Sequence, residues 1–187
     1  MSLPLAETLK IILASPRRPP PRGTAPGGRG RLGELFRNLQ ADPPGPAAHA
    51  IEDDIWAIWI AHDDPHLENR MQQAIGAIAQ RRFSDAETQL NDLVAAAPDW
   101  AEAWNKRATL YYLTHRDAES VADIRHTLEL EPRHFGAICG FGQICLRHGE
   151  MAAAAEAFAA ALAINPHLDS VRAVLAQLAP GRPRRLN

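Results

Sequence analysis

The chain has 187 residues, of which 46% are hydrophobic and only 6% aromatic, with 20 basic and 22 acidic side chains. This is enough for one domain with extensions and a sizeable core. Charge is uneven: residues 1–31 carry net +5 and residues 180–187 carry +3, which leaves −10 on the body and argues against nucleic-acid binding through the folded part.

Residues 1–15 contain a short apolar run around Ile11–Leu13, too short for a membrane span and without the features of a secretory signal. Residues 16–30, PRRPPPRGTAPGGRG, offer almost nothing to bury, so the whole of 1–30 is expected to be a disordered basic leader rich in Pro, Arg and Gly. A cytoplasmic location is expected on this reading. An exported or organellar chain is the alternative if the start or the leader reads differently.

Order is expected from Arg31. Leu32, Leu35, Phe36 and Leu39 keep helical spacing, and DPPGP at 42–46 stops that helix. A second helix over 47–61 shows Ile51, Ile55, Trp56, Ile58 and Trp59. The pair, 31–62, is expected to cap the open end of a helical array that begins near residue 63. A lid across a groove, or a dimer surface through Trp56 and Trp59, competes with that reading. The stretch His62–His66 holds two histidines, but Pro65 breaks the helix that would bring them together, so no metal site is expected.

Beyond this point the chain repeats with a period of 34. Pro98, Pro132 and Pro166 share one register, Ala86, Ser120 and Ala154 a second, and Ala74, Ala108 and Gly142 a third. The units are 67–100, 101–134 and 135–168, each a helix A and then a helix B, with small residues where the two helices approach most closely. Ser84 with Glu87, and Asp99 with Glu102, read as capping boxes, and Gly149 as a glycine just past the end of a helix A. An amphipathic helix, 169–179, closes the array within 63–179, and 180–187 is a flexible basic tail. Cys139 and Cys145 share one expected helix about 9 Å apart along its axis and cannot bridge each other.

Trp104, Ala108, Tyr111, Ser120, Ile124 and Pro132 stand close to the W…G…Y…A…F…P pattern of one known repeat. The chain over roughly 65–180 resembles the tetratricopeptide repeat family, and its middle section is similar to small bacterial proteins with three such repeats. The resemblance implies an all-α helical solenoid of three helix-turn-helix repeats with an N-terminal helical cap and a C-terminal capping helix. It also implies a concave groove lined by the A helices.

Carried onto this chain, the groove positions that matter are Met71 and Ile75 in repeat one, Asn105, Thr109 and Tyr112 in repeat two, and Gln143 and Arg147 in repeat three. The resemblance thus implies a non-catalytic adaptor that holds a peptide or helix of another protein. Self-association through the Trp56/Trp59 helices is the alternative, and an enzyme is the third reading. One branch of the family clamps acidic chaperone C-termini with Lys, Asn and Arg, but the matching places here hold Met71, Ile75, Lys106, Gly136 and Gly140. Arg107, at a position usually apolar, is expected to bury its stem and pair its head with an acid. No nucleotide, hydrolase or zinc-protease motif occurs, and no cofactor is expected.

Overall fold

A computed structural model describes residues 4–14, 28–41 and 45–178. Among these residues there are ten helices and no strands. Helices α4 (Pro65–Ala79) and α5 (Phe83–Ala96), α6 (Ala101–Leu113) and α7 (Asp117–Leu130), and α8 (Phe135–Arg147) and α9 (Met151–Ile164) form three antiparallel pairs. Neighbouring pairs stack in order, and α10 (Asp169–Leu178) packs on α9. The architecture is the all-α solenoid of helix-turn-helix repeats. No described helix is long and apolar enough to cross a membrane.

The small residues sit where the two helices of each pair close on one another. Ala74, Ala86, Ala108, Ser120, Gly142 and Ala154 are all buried. Ser120 keeps its hydroxyl satisfied by donating to the Ala108 carbonyl at 2.8 Å. In repeat three the requirement is absolute, because a Cβ on Gly142 would lie 2.6 Å from the Phe158 ring.

Each helix A ends in the same way. Arg81, His115 and Gly149, 34 residues apart, have φ of 58°, 60° and 77°. The next amide in each case bonds back to a carbonyl five residues earlier: Arg82 to Ala77, Arg116 to Tyr111 and Glu150 to Cys145, at 2.8, 2.8 and 2.9 Å. These are Schellman closures. The first of them also explains why the expected Ser84/Glu87 capping box does not form, and the Asp99/Glu102 box is absent as well. The left-handed turn starts α5 at once, with Arg82 as its N-cap, which moves Ser84 inside the helix. Trp100, not Asp99, precedes α6, and neither cap residue makes a side-chain cap bond.

The N-terminal segment departs from expectation in two ways. Helix α1 (Leu5–Ala14) packs against α9 and α7, with Leu5, Leu9 and Ile12 buried in the main core. Leu5, Leu9 and Ile12 stand at i, i+4, i+7, a helical stripe that the more conspicuous Ile11–Leu13 run conceals. The disordered-leader reading is therefore wrong for residues 5–14 and for 28–30, which begin the next helix. Its Pro/Arg/Gly-rich part at 16–27 and the tail at 180–187 lie outside the described residues.

The second departure concerns α2 (Gly28–Ala41) and α3 (Pro46–Ile60). Of the two, α3 reaches the repeat-one core through its last residue, Ile60, and most of its buried face lies elsewhere. Ile55 and Trp59 join the core of repeats two and three, apart from the smaller core of Met71, Ala74, Leu90 and Leu93 in repeat one. The His62–His66 stretch starts a helix, with Pro65 in its first turn and Asp64 accepting from the His66 amide at 2.8 Å.

Two stability measurements test these points. Gly149→Ala should cost about 1 kcal/mol or slightly more, because the left-handed conformation disfavours a Cβ, and His115→Gly at an exposed site should gain up to about 1 kcal/mol. Leu9→Ala should cost roughly 2–4 kcal/mol in a urea melt, as a buried core leucine does. An unchanged midpoint for Leu9→Ala would show that α1 adds nothing to the fold.

Candidate functional site

The A helices α4, α6 and α8 line the concave side, and a helix from the same chain occupies part of it. Helix α3 presents Glu52, Ile55, Trp56 and Trp59 on one face, since i, i+3, i+4 and i+7 project together. Trp56 lies on Gly136, where a Cβ would meet its ring at 2.5 Å. Any other residue at 136 would push the indole out. Trp59 stacks flat on His134, with ring centroids 4.1 Å apart and planes 10° apart, and is edge-on to Trp56 at 5.1 Å. Helix α2 backs the arrangement with Phe36, which meets Trp59 at 6.0 Å and Phe135 at 6.5 Å.

Polar contacts fix the same seat. Asn165 donates to Glu52 Oε2 at 3.1 Å, and the Trp56 indole donates to Glu52 Oε1 at 3.3 Å. The Trp100 indole donates to the Trp59 carbonyl at 2.8 Å. At the edge, Gln40 donates to the Ala163 carbonyl, and His167 Nε2 meets the Leu39 carbonyl at 2.7 Å. The Trp59 indole N–H is buried without a partner among the described residues.

Beneath the two tryptophans lies a buried ionic cluster. The Ala137 amide donates to His134 Nδ1 at 3.1 Å, so His134 carries its proton on Nε2 and donates to Glu102 Oε2 at 2.8 Å. Asn105 donates to the same oxygen at 3.0 Å, and Lys106 Nζ lies 2.9 Å from the other. The Lys106 ammonium also stands 5.4 Å from the Trp56 ring. Burial alone would raise the Glu102 carboxyl, but the hydrogen bond from His134, with the charge and hydrogen bond of Lys106, outweighs it and holds the group below its ordinary 4.5. Cys139 is pushed the other way, to about 12, by burial and then by the charge of Glu52.

The sequence-predicted groove residues divide. Met71 is fully buried in the repeat-one core and so is not an open lining residue. Ile75 is half-buried beside that core. Asn105 is only 6% exposed and is committed to Glu102. Thr109 is exposed, its hydroxyl donating to the Asn105 carbonyl at 3.0 Å. Tyr112 and Arg147 come together, the guanidinium 3.8 Å above the ring and donating to the Tyr112 carbonyl at 3.1 Å. Arg147 is also paired with Asp117 at 2.6 Å, which His148 meets at 2.9 Å. Gln143 is half-buried and stands on the same helix as Arg147. Arg107 finds its acid in Asp123, with two bonds of 2.7 and 2.9 Å.

Glu52, Lys106, His134, Gly136 and Asn165 are the residues that sequence reasoning did not assemble. The signal for them was Gly136 itself, a glycine in the first turn of a helix where a close neighbour is one explanation.

The model of the tetratricopeptide repeat matches residues 71–132 and 118–169, together just over half of the chain. The chain belongs to the tetratricopeptide repeat family. It is 36% identical over 119 residues to a TPR repeat-containing protein of Rhizobium etli, covering 64% of this chain and 58% of that one. It is 30% identical over 112 residues to the Hsp70-Hsp90 organizing protein of Triticum aestivum, covering 58% of this chain and 19% of that protein. The chain thus spans less than two thirds of either relative. Tetratricopeptide repeats generally mediate protein–protein interaction, and the family is typically a non-catalytic scaffold.

The Glu102 cluster gives a pH signature. A carboxyl whose folded pKa is depressed stabilises the fold fully above its unfolded value and stops doing so as pH falls through the lower folded value. Stability should therefore drop as the pH falls below about 4.5. Glu102→Gln should lose stability at neutral pH and show a shallower acid limb in denaturant midpoints taken from pH 7 to 3. An acid limb identical to that of the unaltered chain would remove Glu102 as its cause.

Proposed function

We propose that this tetratricopeptide repeat chain is a non-catalytic scaffold that holds a peptide or helix of a partner protein on its concave face. One observation carries the reading: that face already accommodates a helix, α3, through an aromatic side chain laid on Gly136 and polar contacts at its rim. A surface with a glycine notch, flanking rings and a cation 5.4 Å from an indole has the composition of a recognition site. Thr109, Tyr112 and Gln143, on the same side and beyond α3, extend it. Arg147 acts there by covering Tyr112, its charge being already matched by Asp117.

A chaperone-tail clamp is not the reading favoured. The wheat relative is named for organizing Hsp70 and Hsp90, but here Met71 is internal, Lys106 is spent on Glu102, and Gly136 receives Trp56. Self-association through Trp56 and Trp59 is disfavoured too, since Trp59 is buried within its own chain and Trp56 packs there against Gly136 and Phe135.

The test is affinity capture with the full chain, with circular dichroism on every variant. Tyr112→Ala should weaken capture by about 1–2 kcal/mol, as loss of an aromatic anchor does, and Gln143→Ala by less. Arg125→Ala and Glu119→Ala, on the B helix of repeat two, should leave it unchanged. Folded Tyr112→Ala and Gln143→Ala chains that keep every captured protein would move the binding surface elsewhere.

A further inference from the structure

Helix α3 is seated like a ligand. It packs on α2, on α6 and on the first turn of α8, bonds Asn165 beyond α9, and reaches the repeat-one core only at its last residue, Ile60, so it crosses repeats two and three. Lying between α2 and α4 in the chain, it stands where a further repeat would have placed a B helix stacked on repeat one. The chain instead carries it over the concave side and returns through only Ala61–Asp64 to α4. Its seat reads a pattern: the Glu52 carboxylate meets Asn165, the Trp56 ring fills the space left by Gly136, and the Trp59 ring covers His134. The fit has one flaw, the buried Trp59 indole N–H with no partner among the described residues.

We propose that α3 is an internal ligand of the concave face, and that the external partner is an amphipathic helix bearing a carboxylate at i, an indole-sized ring at i+4 and a second aromatic at i+7, which takes α3's place. The proposal rests on the binding reading above and names its partner. Exchange is feasible where an incoming helix of this pattern also brings an apolar residue at i+3 in place of the buried Ile55, and so restores the contacts that α3 makes to α2, α6, α8 and Asn165. What it competes against is the tether, which holds α3 at an effective concentration on the order of millimolar. A phenyl ring at i+7 would improve on α3, because it brings no indole N–H to bury unpaired. A helix without the carboxylate would leave Asn165 without its acceptor.

The probe is a labelled synthetic peptide of residues 46–62, titrated by fluorescence anisotropy into the full chain and into full-chain variants. The unaltered chain should bind it weakly. Trp56→Ala in the chain weakens only the internal competitor, so the same peptide should bind at least tenfold more tightly. A peptide with its own Trp56→Ala change should lose that gain, and so should the chain with Gly136→Leu, whose notch is filled. Should Trp56→Ala fail to fold by circular dichroism, Glu52→Ala releases the Asn165 contact without emptying the core and should give the same direction of change.

A folded variant that binds the peptide no better than the unaltered chain would overturn the proposal, as would binding that survives Gly136→Leu. Dimers of the full chain that the peptide dissolves would mean that the occupant is α3 of a second copy, which also overturns it. If the peptide fails but Tyr112→Ala still releases captured proteins, the scaffold reading stands and the exchange falls. If neither responds, both fall.

Discussion

Close approach of paired helices, permitted by missing side-chain volume, is the constraint on which the rest of this molecule depends. A backbone-to-ring contact such as that of Phe158 on Gly142 leaves no room for one methyl group. Because a close approach at small residues recurs every 34 positions, at Ala74, Ala108 and Gly142 and at Ala86, Ser120 and Ala154, the three pairs share one geometry and stack as repeats do. The same device then appears once more between elements that are not repeats. Gly136, at the start of α8, admits the Trp56 ring as Gly142 admits Phe158. The seat of α3 is in this sense a continuation of repeat packing by other means.

Below that seat, three ionisable groups and an amide are gathered in the interior. Burying charge is expensive unless each group is matched. Here the match is close: Glu102 accepts from His134 and Asn105 and faces Lys106, while His134 spends its second nitrogen on the amide of Ala137. The arrangement leaves His134 flat and oriented, so its face is available to Trp59. Polar satisfaction in one layer thus fixes the aromatic geometry of the next. It also explains why Asn105, at a nominal groove position, is closed to a partner.

The solenoid is legible in the sequence because its signal is local and repeated. Small residues and prolines recur at one spacing, Gly149 marks the end of one helix A, and each reports on contacts close in sequence. The left-handed positions at Arg81 and His115 are hard to read, since Arg does not advertise a positive φ and His does so only weakly, although both fall in register with Gly149. Helix α1 is legible in principle through Leu5, Leu9 and Ile12, but a neighbouring Ile-Ile-Leu run points to the wrong face. The site is legible only in part. Tyr112 and Arg147, both expected at the groove, do meet, whereas Met71, expected beside them, is core. Where a helix outside the repeat docks depends on contacts such as Glu52 with Asn165, 113 residues apart, and no periodicity carries that information.

Carrying a family's groove positions onto a chain assumes that the groove is vacant to solvent. In this protein its own helix changes what each position can do. Gly136 becomes a socket, Cys139 a thiol held protonated beside Glu52, and Lys106 a cation shared between Glu102 and the Trp56 ring. None of the three offers itself to a ligand in the manner its residue type suggests. Thr109, Tyr112 and Gln143 keep that capacity because they lie on the turns of α6 and α8 that α3 does not cover. A partner that engages only those residues would meet a short, shallow surface, and one that also takes the place of α3 would gain the aromatic socket. Specificity would then come mainly from the second interaction, since a ring that fills the Gly136 notch is a far more selective requirement than a hydrogen bond to an exposed threonine.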